Sequence, residues 1–379
     1  MKFPNLLLNK TWKGVHEFKK LSKERRNIVF YAENKASINH FRSLITELTE
    51  RRKLEICYVS SVENDPLLKT KNTKIKSFYI GSGSARTHFF LTLEAKVLLM
   101  DMPDLENFHI KRSKLCPVHY IYIFHSMFST HTYLRKEALF HFDTIFCVGP
   151  HHINEIKKSE EIYNLKPKNL IDYGFGRLDE LLLKKRNTNL SNIKKTILIV
   201  PTYGENNLLI KCGKKLIQIL LENNFRVILR PHFRILSESK QLIRNIEEDF
   251  KNNENFVLER GIISQDLFEN STCLITDWSG ISFEYAFVFE KTVIFLDLPQ
   301  KILNPDYKEL SIEPMEIENR NEIGHIVSIN NLEKIVDILN NNEFNNLQNR
   351  IKKIRSSTIF NIGNSSKKGA DFIQKILSP

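Results

Sequence analysis

The sequence lacks any run of about 18 apolar residues that could cross a bilayer as a helix. Its first twenty residues hold only a three-leucine stretch, short for the apolar segment of a secretory signal. The five cysteines (Cys57, Cys116, Cys147, Cys212 and Cys273) are far apart and form no CxxC pair. That spacing argues against a zinc cluster or a disulfide framework and fits a reducing cytoplasm. There is no GxxxxGK[ST], no GxSxG and no HExxH. The GSGSA at 81–85 lacks the full GxGxxG spacing of a dinucleotide loop, and no acidic residue follows at a strand end. The HH pair at 151–152 has no His-x-x-x-His or carboxylate set beside it, so no metal is expected. No RRM, KH or helix-turn-helix pattern occurs, and basic residues are interspersed with acidic ones. Nucleic acid is therefore not expected as a partner.

What remains is the balance of a soluble globular chain: 379 residues, 41% hydrophobic and 26% charged, long enough for two or three domains. Fifty-six Lys+Arg against 44 Asp+Glu leave a net charge of +12. A surplus of that size points to an anionic partner: a phosphorylated substrate, nucleic acid or lipid headgroups.

Short β-branched and aromatic runs alternate with helical patterns. Strands are predicted at 27–31, 54–60, 77–80, 97–100, 119–124 and 144–148, with an amphipathic helix at 37–52 whose apolar face is Ile38, Phe41, Leu44, Ile45 and Leu48. A polar stretch at 184–195 reads as a linker. A second series follows: strands at 196–200, 226–229, 256–258, 272–276 and 293–296, with helices at 208–221, 239–250, 267–270 and 282–289. Helical patterns close the chain from 331. Strands separated by helix-length segments imply parallel βαβ units. The expected architecture is α/β: two doubly wound, Rossmann-type domains, 1–183 and 196–360, facing a cleft. Ligands of such sheets bind beyond the carboxyl ends of the strands.

The most informative segment is LITDWSGISFEYA at 274–286. An apolar strand ends at Asp277, Ser279 and Gly280 form a turn, and a helix begins. The first amides of a helix have no intrahelical acceptor, and the dipole adds partial positive charge there. Together they make a phosphate cradle, with Ser279 and Ser282 as hydroxyl donors and Glu284 placed to accept from ribose hydroxyls. The same segment also reads as an ordinary N-cap with a dipole-matching carboxylate. In VILRPHF at 227–233 a strand delivers Arg230 and His232 to a loop, a cation and an imidazole suited to a pyrophosphate, or else an ordinary surface histidine. In IVPTYG at 199–204, Thr202 and Tyr203 follow a strand and could touch a base or phosphate; an ordinary proline turn explains them equally.

In the first half, YIYIFHSMFSTH at 120–131 ends a strand at His125. An imidazole there could act as general base on a hydroxyl, because its ordinary pKa lies near neutrality. A structural histidine bonded to backbone is the other reading. Ser126 and His131 in the following loop, and Arg177 and Asp179 in YGFGRLDEL at 173–181, are further candidates for the cleft lining. Arg177 and Asp179 could equally cap a helix.

In order, these segments resemble the CDP-glycerol glycerophosphotransferase family, the teichoic-acid and capsule polymerases and primases with a GT-B fold. The resemblance rests on FHSM at 124–127, FDTIFCVGP at 142–150, YGFGRLD at 173–179, VPTY at 200–203, RPHF at 230–233 and ITDWSGISFEY at 275–285. NIGNSSKKGADFI at 361–373 is similar to the family's closing segment, and implies a terminal helix at 361–379 packing back on the first domain. The sequence departs from the family's pattern at Ser126, Met127 and Phe128, which replace Gly-Thr-Pro, at Gly176, where a proline is usual, and at Phe233, again in place of proline.

The resemblance implies a transferase that moves a polyol phosphate from a CDP-activated donor to a hydroxyl of a glycan or lipid-linked polymer at the cell surface. Amides after Asp277, with Ser279 and Gly280, would hold the pyrophosphate. Arg230 and His232 would neutralise it, Glu284 would bind ribose, and His125 would take the acceptor proton. No metal or other cofactor is implied. Reaching a lipid-linked polymer implies peripheral contact at the inner leaflet, for which the basic segments 19–26 and 352–355 are candidates; solvated helix faces are their other reading. A GT-B glycosyltransferase using a nucleotide sugar is the alternative activity. A nucleotide-sugar 2-epimerase shares the Ser-Gly helix start, but its usual acidic and Arg-rich loop is not found here.

Overall fold

The structure, a computed structural model, describes residues 10–185, 195–261, 265–341 and 347–378. Most of the expected linker (186–194) and the three-leucine stretch lie outside the described residues. The chain divides into two compact units. The first comprises Met1–Glu180, Leu303–Ile312 and Thr358–Pro379, the second Leu181–Ile302 and Glu313–Ser357. Residues 303–312 thus return to the first unit, an excursion for which the sequence offers no periodicity.

The described part of the first unit contains a sheet of seven parallel strands: β1 (Ile28–Ala32), β2 (Ile56–Ser60), β3 (Ile75–Tyr79), β4 (Val97–Met100), β5 (His119–Ile123), β6 (Thr144–Cys147) and β7 (Asn169–Asp172). Their order is β3-β2-β1-β4-β5-β6-β7, so the winding reverses between β1 and β4. β1, β2 and β4 are buried along their whole length, the pattern of strands covered by helices on both faces. The helix Ser37–Thr46 buries Phe41, Leu44 and Ile45 against β1 and β2 and ends in a π turn, Glu47–Arg51. Each such side chain contributes roughly 1.5–3 kcal/mol when fully buried.

The last helix, Ser365–Leu377, buries Ala370 and Ile373 in the same core and packs on the helix Ser37–Thr46. The chain reaches it along the end of the first sheet, where the Phe360 amide donates to the Val148 carbonyl at 2.9 Å. Two glycines allow that approach. A Cβ at Gly149 would collide with the Thr358 carbonyl, and Gly174, at φ +101°, faces the Phe360 carbonyl.

The second unit contains a parallel sheet of six strands among its described residues: β8 (Thr196–Ile199), β9 (Arg226–Leu229), β10 (Phe256–Leu258), β11 (Cys273–Thr276), β12 (Val293–Asp297) and β13 (Gly324–Ser328). Their order is β10-β9-β8-β11-β12-β13, reversing between β8 and β11. Ile197, Ile199, Val227, Leu229, Ile275 and Ile294 form one core with Leu216, Ile217 and Leu220 of the helix Lys214–Glu222. β7 and β13 are additions to the sequence reading.

Candidate functional site

In the second unit the loops after four neighbouring strands carry the candidate residues. β8 leads into Thr202 and Tyr203, β9 into Arg230 and His232, β11 into Asp277, Ser279 and Gly280, and β12 into a loop that reaches Lys301. All lie at carboxyl ends around the β8/β11 reversal, where doubly wound sheets bind ligands.

Asp277 is buried, and its carboxylate is occupied by backbone. Oδ1 accepts from the amides of Thr202 (2.7 Å) and Trp278 (2.8 Å), and Oδ2 from that of Leu208 (2.9 Å). Burial raises its pKa, and those amide bonds oppose the rise. Asp277 is therefore a clamp that joins the β8 and β11 loops. Ser282 is fully buried, and its hydroxyl donates to the Ser279 carbonyl at 2.8 Å. Ser279 and Gly280 remain partly accessible at the start of the helix Ile281–Phe289, and Glu284 lies half-buried within it.

His232 caps the short helix Phe233–Glu238, its Nδ1 accepting from the Arg234 amide at 3.2 Å. That bond leaves the neutral ring's proton on Nε2, a donor. Burial, with Lys301, Arg230 and Arg234 nearby, pushes its pKa down to about 4. His232 is thus neutral near pH 7 and in that form donates one hydrogen bond. Its ring lies 4.6 Å from that of Tyr203, which also receives Arg234 at 4.6 Å.

In the first unit, β5 carries His125 just beyond its end, and the residue is exposed. The ring is nevertheless surrounded by protein, which lowers its pKa, while a hydrogen bond to the Asp101 backbone acts in the opposite direction. The Tyr122 hydroxyl lies 3.4 Å from Nδ1. The rings of His40 and Tyr133 stand 6.2 and 5.5 Å away. His40 is buried, and desolvation, with His125 and Arg177 nearby, holds its pKa well below the usual value. Asp101, at the end of β4, is pushed up to about 7 by burial although Ser37 donates to it at 2.9 Å. His40, Ser37 and Asp101 were not singled out in the sequence; all lie beyond or beside the β1/β4 reversal, which is the signal that finds them.

The remaining first-unit candidates divide. Ser126 closes a local turn, accepting from the Phe128 amide at 3.2 Å, and Arg177 is half-buried at the start of the helix Gly176–Lys184. His131 is buried, with Nε2 3.1 Å from the Ile312 carbonyl and Nδ1 3.6 Å from Glu155, which also accepts from the Thr130 amide and hydroxyl. It braces the loop after β5 and also lines a cavity of the first unit with Leu134, Tyr163 and Asn304. Asp179 is buried too, accepting from the amides of Gly363 (2.6 Å) and Ser365 (2.9 Å) at the start of the last helix. His151 and His152 bind the Met127 and Phe128 carbonyls, each at 2.9 Å, so their nitrogens also serve that loop. The basic segments are partly spent as well: Arg25 pairs with Glu55 and Arg26 with Glu94, and Lys352 and Arg355 both pair with Glu290.

Among solved structures, the chain is similar to a variant of the wall teichoic acid polymerase TagF soaked with CDPG, at 15% identity and a TM-score of 0.59, covering 97% of this chain and 93% of that one. It is also similar to a putative UDP-N-acetylglucosamine 2-epimerase from Listeria monocytogenes, at 12% identity and a TM-score of 0.61, covering 93% and 97%. The S. aureus MnaA–UDP structure matches at 14% identity and a TM-score of 0.59, covering 93% and 97%. These likenesses place the two doubly wound units in the GT-B type of fold. No curated protein sequence matches the chain. The family model for CDP-glycerol:poly(glycerophosphate) glycerophosphotransferases spans residues 15–302, and the chain belongs to that family of transferases.

Proposed function

We propose that this protein transfers a polyol-phosphate group from a CDP-activated donor, CDP-glycerol or a close relative, to a hydroxyl of a glycan or lipid-linked cell-surface polymer, reached by peripheral contact at the inner leaflet. One observation carries the reading: four adjacent strand ends of the second unit bring cations and an imidazole N–H to Tyr203, and a helix starts at the same end of the sheet. Those are the groups a nucleoside diphosphate requires.

In this reading the helix start at Ser279 and Gly280, with Arg230, holds the diphosphate. His232 donates its Nε2–H, and Glu284 accepts from the ribose. Thr202 and Tyr203 lie against the nucleotide, and Arg177 and Ser126 contribute on the acceptor side. His125 takes the proton of the acceptor hydroxyl as that oxygen attacks the β-phosphorus. A phosphorus–oxygen bond forms to the acceptor, the bond to the bridging oxygen breaks, and CMP leaves with that oxygen. The lowered pKa of His125 keeps the ring unprotonated and ready to accept. Side-chain cations and helix amides supply the positive charge that a metal would otherwise bring.

A donor screen tests this. CDP-glycerol, CDP-ribitol and UDP-sugars are incubated with the protein and a polyol-phosphate or glycan acceptor, with CMP and UDP release measured in the presence and absence of EDTA. CMP release from a CDP-polyol, insensitive to EDTA and lost in His125→Ala and His232→Ala, is expected. UDP release from a nucleotide sugar would instead establish the glycosyltransferase activity.

A further inference from the structure

Lys301 lies in the loop that follows β12, half-buried, at the same sheet end as Tyr203, His232 and Ser279. Its ammonium sits 2.8 Å from the centroid of the Tyr203 ring and 3.3 Å from the Thr202 hydroxyl. Neither is a carboxylate, and among the described residues Lys301 makes no ion pair. Asp277 attracts it through space, yet both Asp277 oxygens are already held by the amides of Thr202, Trp278 and Leu208. Arg234, which also stands over the Tyr203 ring, faces Glu238. An ammonium carries three donors, and a ring face with one hydroxyl leaves it under-coordinated.

A second cation shows the same deficit. Arg320 is buried, stacked 3.8 Å over Trp278, and donates to the Leu296 carbonyl at 3.3 Å. Its Nε is buried without a hydrogen-bond partner, and it too makes no ion pair among the described residues. Trp278 is the residue between Asp277 and Ser279. The turn that starts the helix therefore has a guanidinium stacked on it, attracted through space by Asp297 and Asp277, and an ammonium attracted to the same Asp277, with no carboxylate in contact with either among the described residues. Cations desolvated without a contacting counter-charge are costly, and a bound anion offsets that cost.

We propose that Lys301 is a ligand of the nucleotide's diphosphate, parked on the Tyr203 ring until the anion draws it away. This rests on the donor reading given above and adds a residue to it. Lys301 recognises the second phosphate, not the nucleoside, and its departure uncovers an aromatic face.

The pH dependence follows. Burial pushes Lys301 down to about 8, Arg234 adding to the shift and Asp277 opposing it. The groups facing it are Thr202, Tyr203, His232, Arg234 and Asp277. A bound anion raises the pKa of Lys301, so its contribution to affinity is present below pH 8 and is lost as the pH rises beyond it.

Calorimetric titration of the full chain with CDP, UDP and CMP tests the assignment. In the wild type a diphosphate binds more tightly than CMP. Lys301→Met is expected to weaken diphosphate binding roughly ten- to a hundredfold while leaving CMP within about twofold. Lys301→Arg should retain most of the affinity. Between about pH 7 and about pH 9.5 the wild-type diphosphate affinity falls, and that of Lys301→Met does not. Lys301→Gln repeats the measurement if the methionine variant does not fold. A loss of the diphosphate increment for UDP instead of CDP would support the Lys301 assignment while overturning the choice of donor. Equal diphosphate binding by folded variant and wild type, or equal loss of CDP and CMP, overturns the assignment alone. A wild type that binds no nucleoside diphosphate overturns both.

Discussion

The Asp277 carboxylate accepts from the Thr202 amide at 2.7 Å across 75 residues of sequence, so the end of β11 holds the loop that follows β8. With Leu208 on its other oxygen, one buried side chain fixes two of the four strand-end loops. The acidic residue of the most recognisable motif thus acts on the protein's own backbone. What it leaves for a ligand is the arrangement of loops it imposes.

Asp277→Asn converts one acceptor oxygen into a donor facing backbone amides. Unsatisfied buried donors make this cost on the order of 2 kcal/mol, a fall in melting temperature of about 4–8 °C for a unit of this size. Nucleotide affinity should fall with it, because Thr202 and Tyr203 lose their anchor. Thermal melting with and without CDP measures both. A variant as stable as the wild type but unable to bind CDP would show instead that Asp277 meets the ligand.

His125 gives a pH prediction with a definite sign. A general base works when unprotonated, and burial lowers this imidazole below its ordinary 6.5. At saturating donor, kcat should therefore rise with pH through an apparent pKa below 6.5 and be level by pH 7. His125→Ala should lower kcat about 10²- to 10⁴-fold while leaving the affinity for CDP unchanged. An acidic limb centred well above 6.5, or an active His125→Ala, would remove the base.

The strand ends were legible in the sequence because apolar, β-branched runs stop abruptly at polar residues, and the parallel topology sends those ends to one side. β7 and β13 escaped for physical reasons. β7 (NLID) is short, with its first residue exposed, and β13 opens with Gly324, which looks like a breaker. That glycine is required, since a Cβ would collide with the Val293 carbonyl of the neighbouring strand. Hydrogen-bond ownership was not legible at all. Ser282, Asp277, His131 and Asp179 read as donors or acceptors for a ligand, yet each is spent on a carbonyl, amide or carboxylate of the chain, and Asp179 reaches partners 184 and 186 residues away. Lys301 belongs to no motif. Only the rule that ligands gather beyond the carboxyl ends would have drawn attention to the loop after β12.

Ser279 and Ser282 separate a hydroxyl available to the donor from one that is not. Ser282 is fully buried and committed to the Ser279 carbonyl, whereas Ser279 is partly accessible. Ser279→Ala should weaken CDP binding about tenfold, the value of a hydrogen bond to a charged group. Ser282→Ala should cost about 1 kcal/mol of stability and leave CDP affinity within about twofold. The reverse pattern would place the phosphate against Ser282.

Asp179 provides a control, a candidate whose carboxylate is engaged by the chain's own backbone. Its two oxygens satisfy the amides of Gly363 and Ser365, which start the helix Ser365–Leu377, and that helix contributes Ala370 and Ile373 to the first core. Burial raises the Asp179 pKa, and its bonds to Ser365 and Gly363 oppose the rise. Removing the carboxylate leaves two amides unpaired at a helix start, so Asp179→Ala should destabilise the first unit by about 2 kcal/mol. Asp179→Asn, which keeps one acceptor, should fall between. Hydrogen exchange should quicken at the amides of residues 363–377, and CDP affinity, a property of the second unit, should not move. A variant that exchanged like the wild type but lost transfer would return Asp179 to the acceptor site.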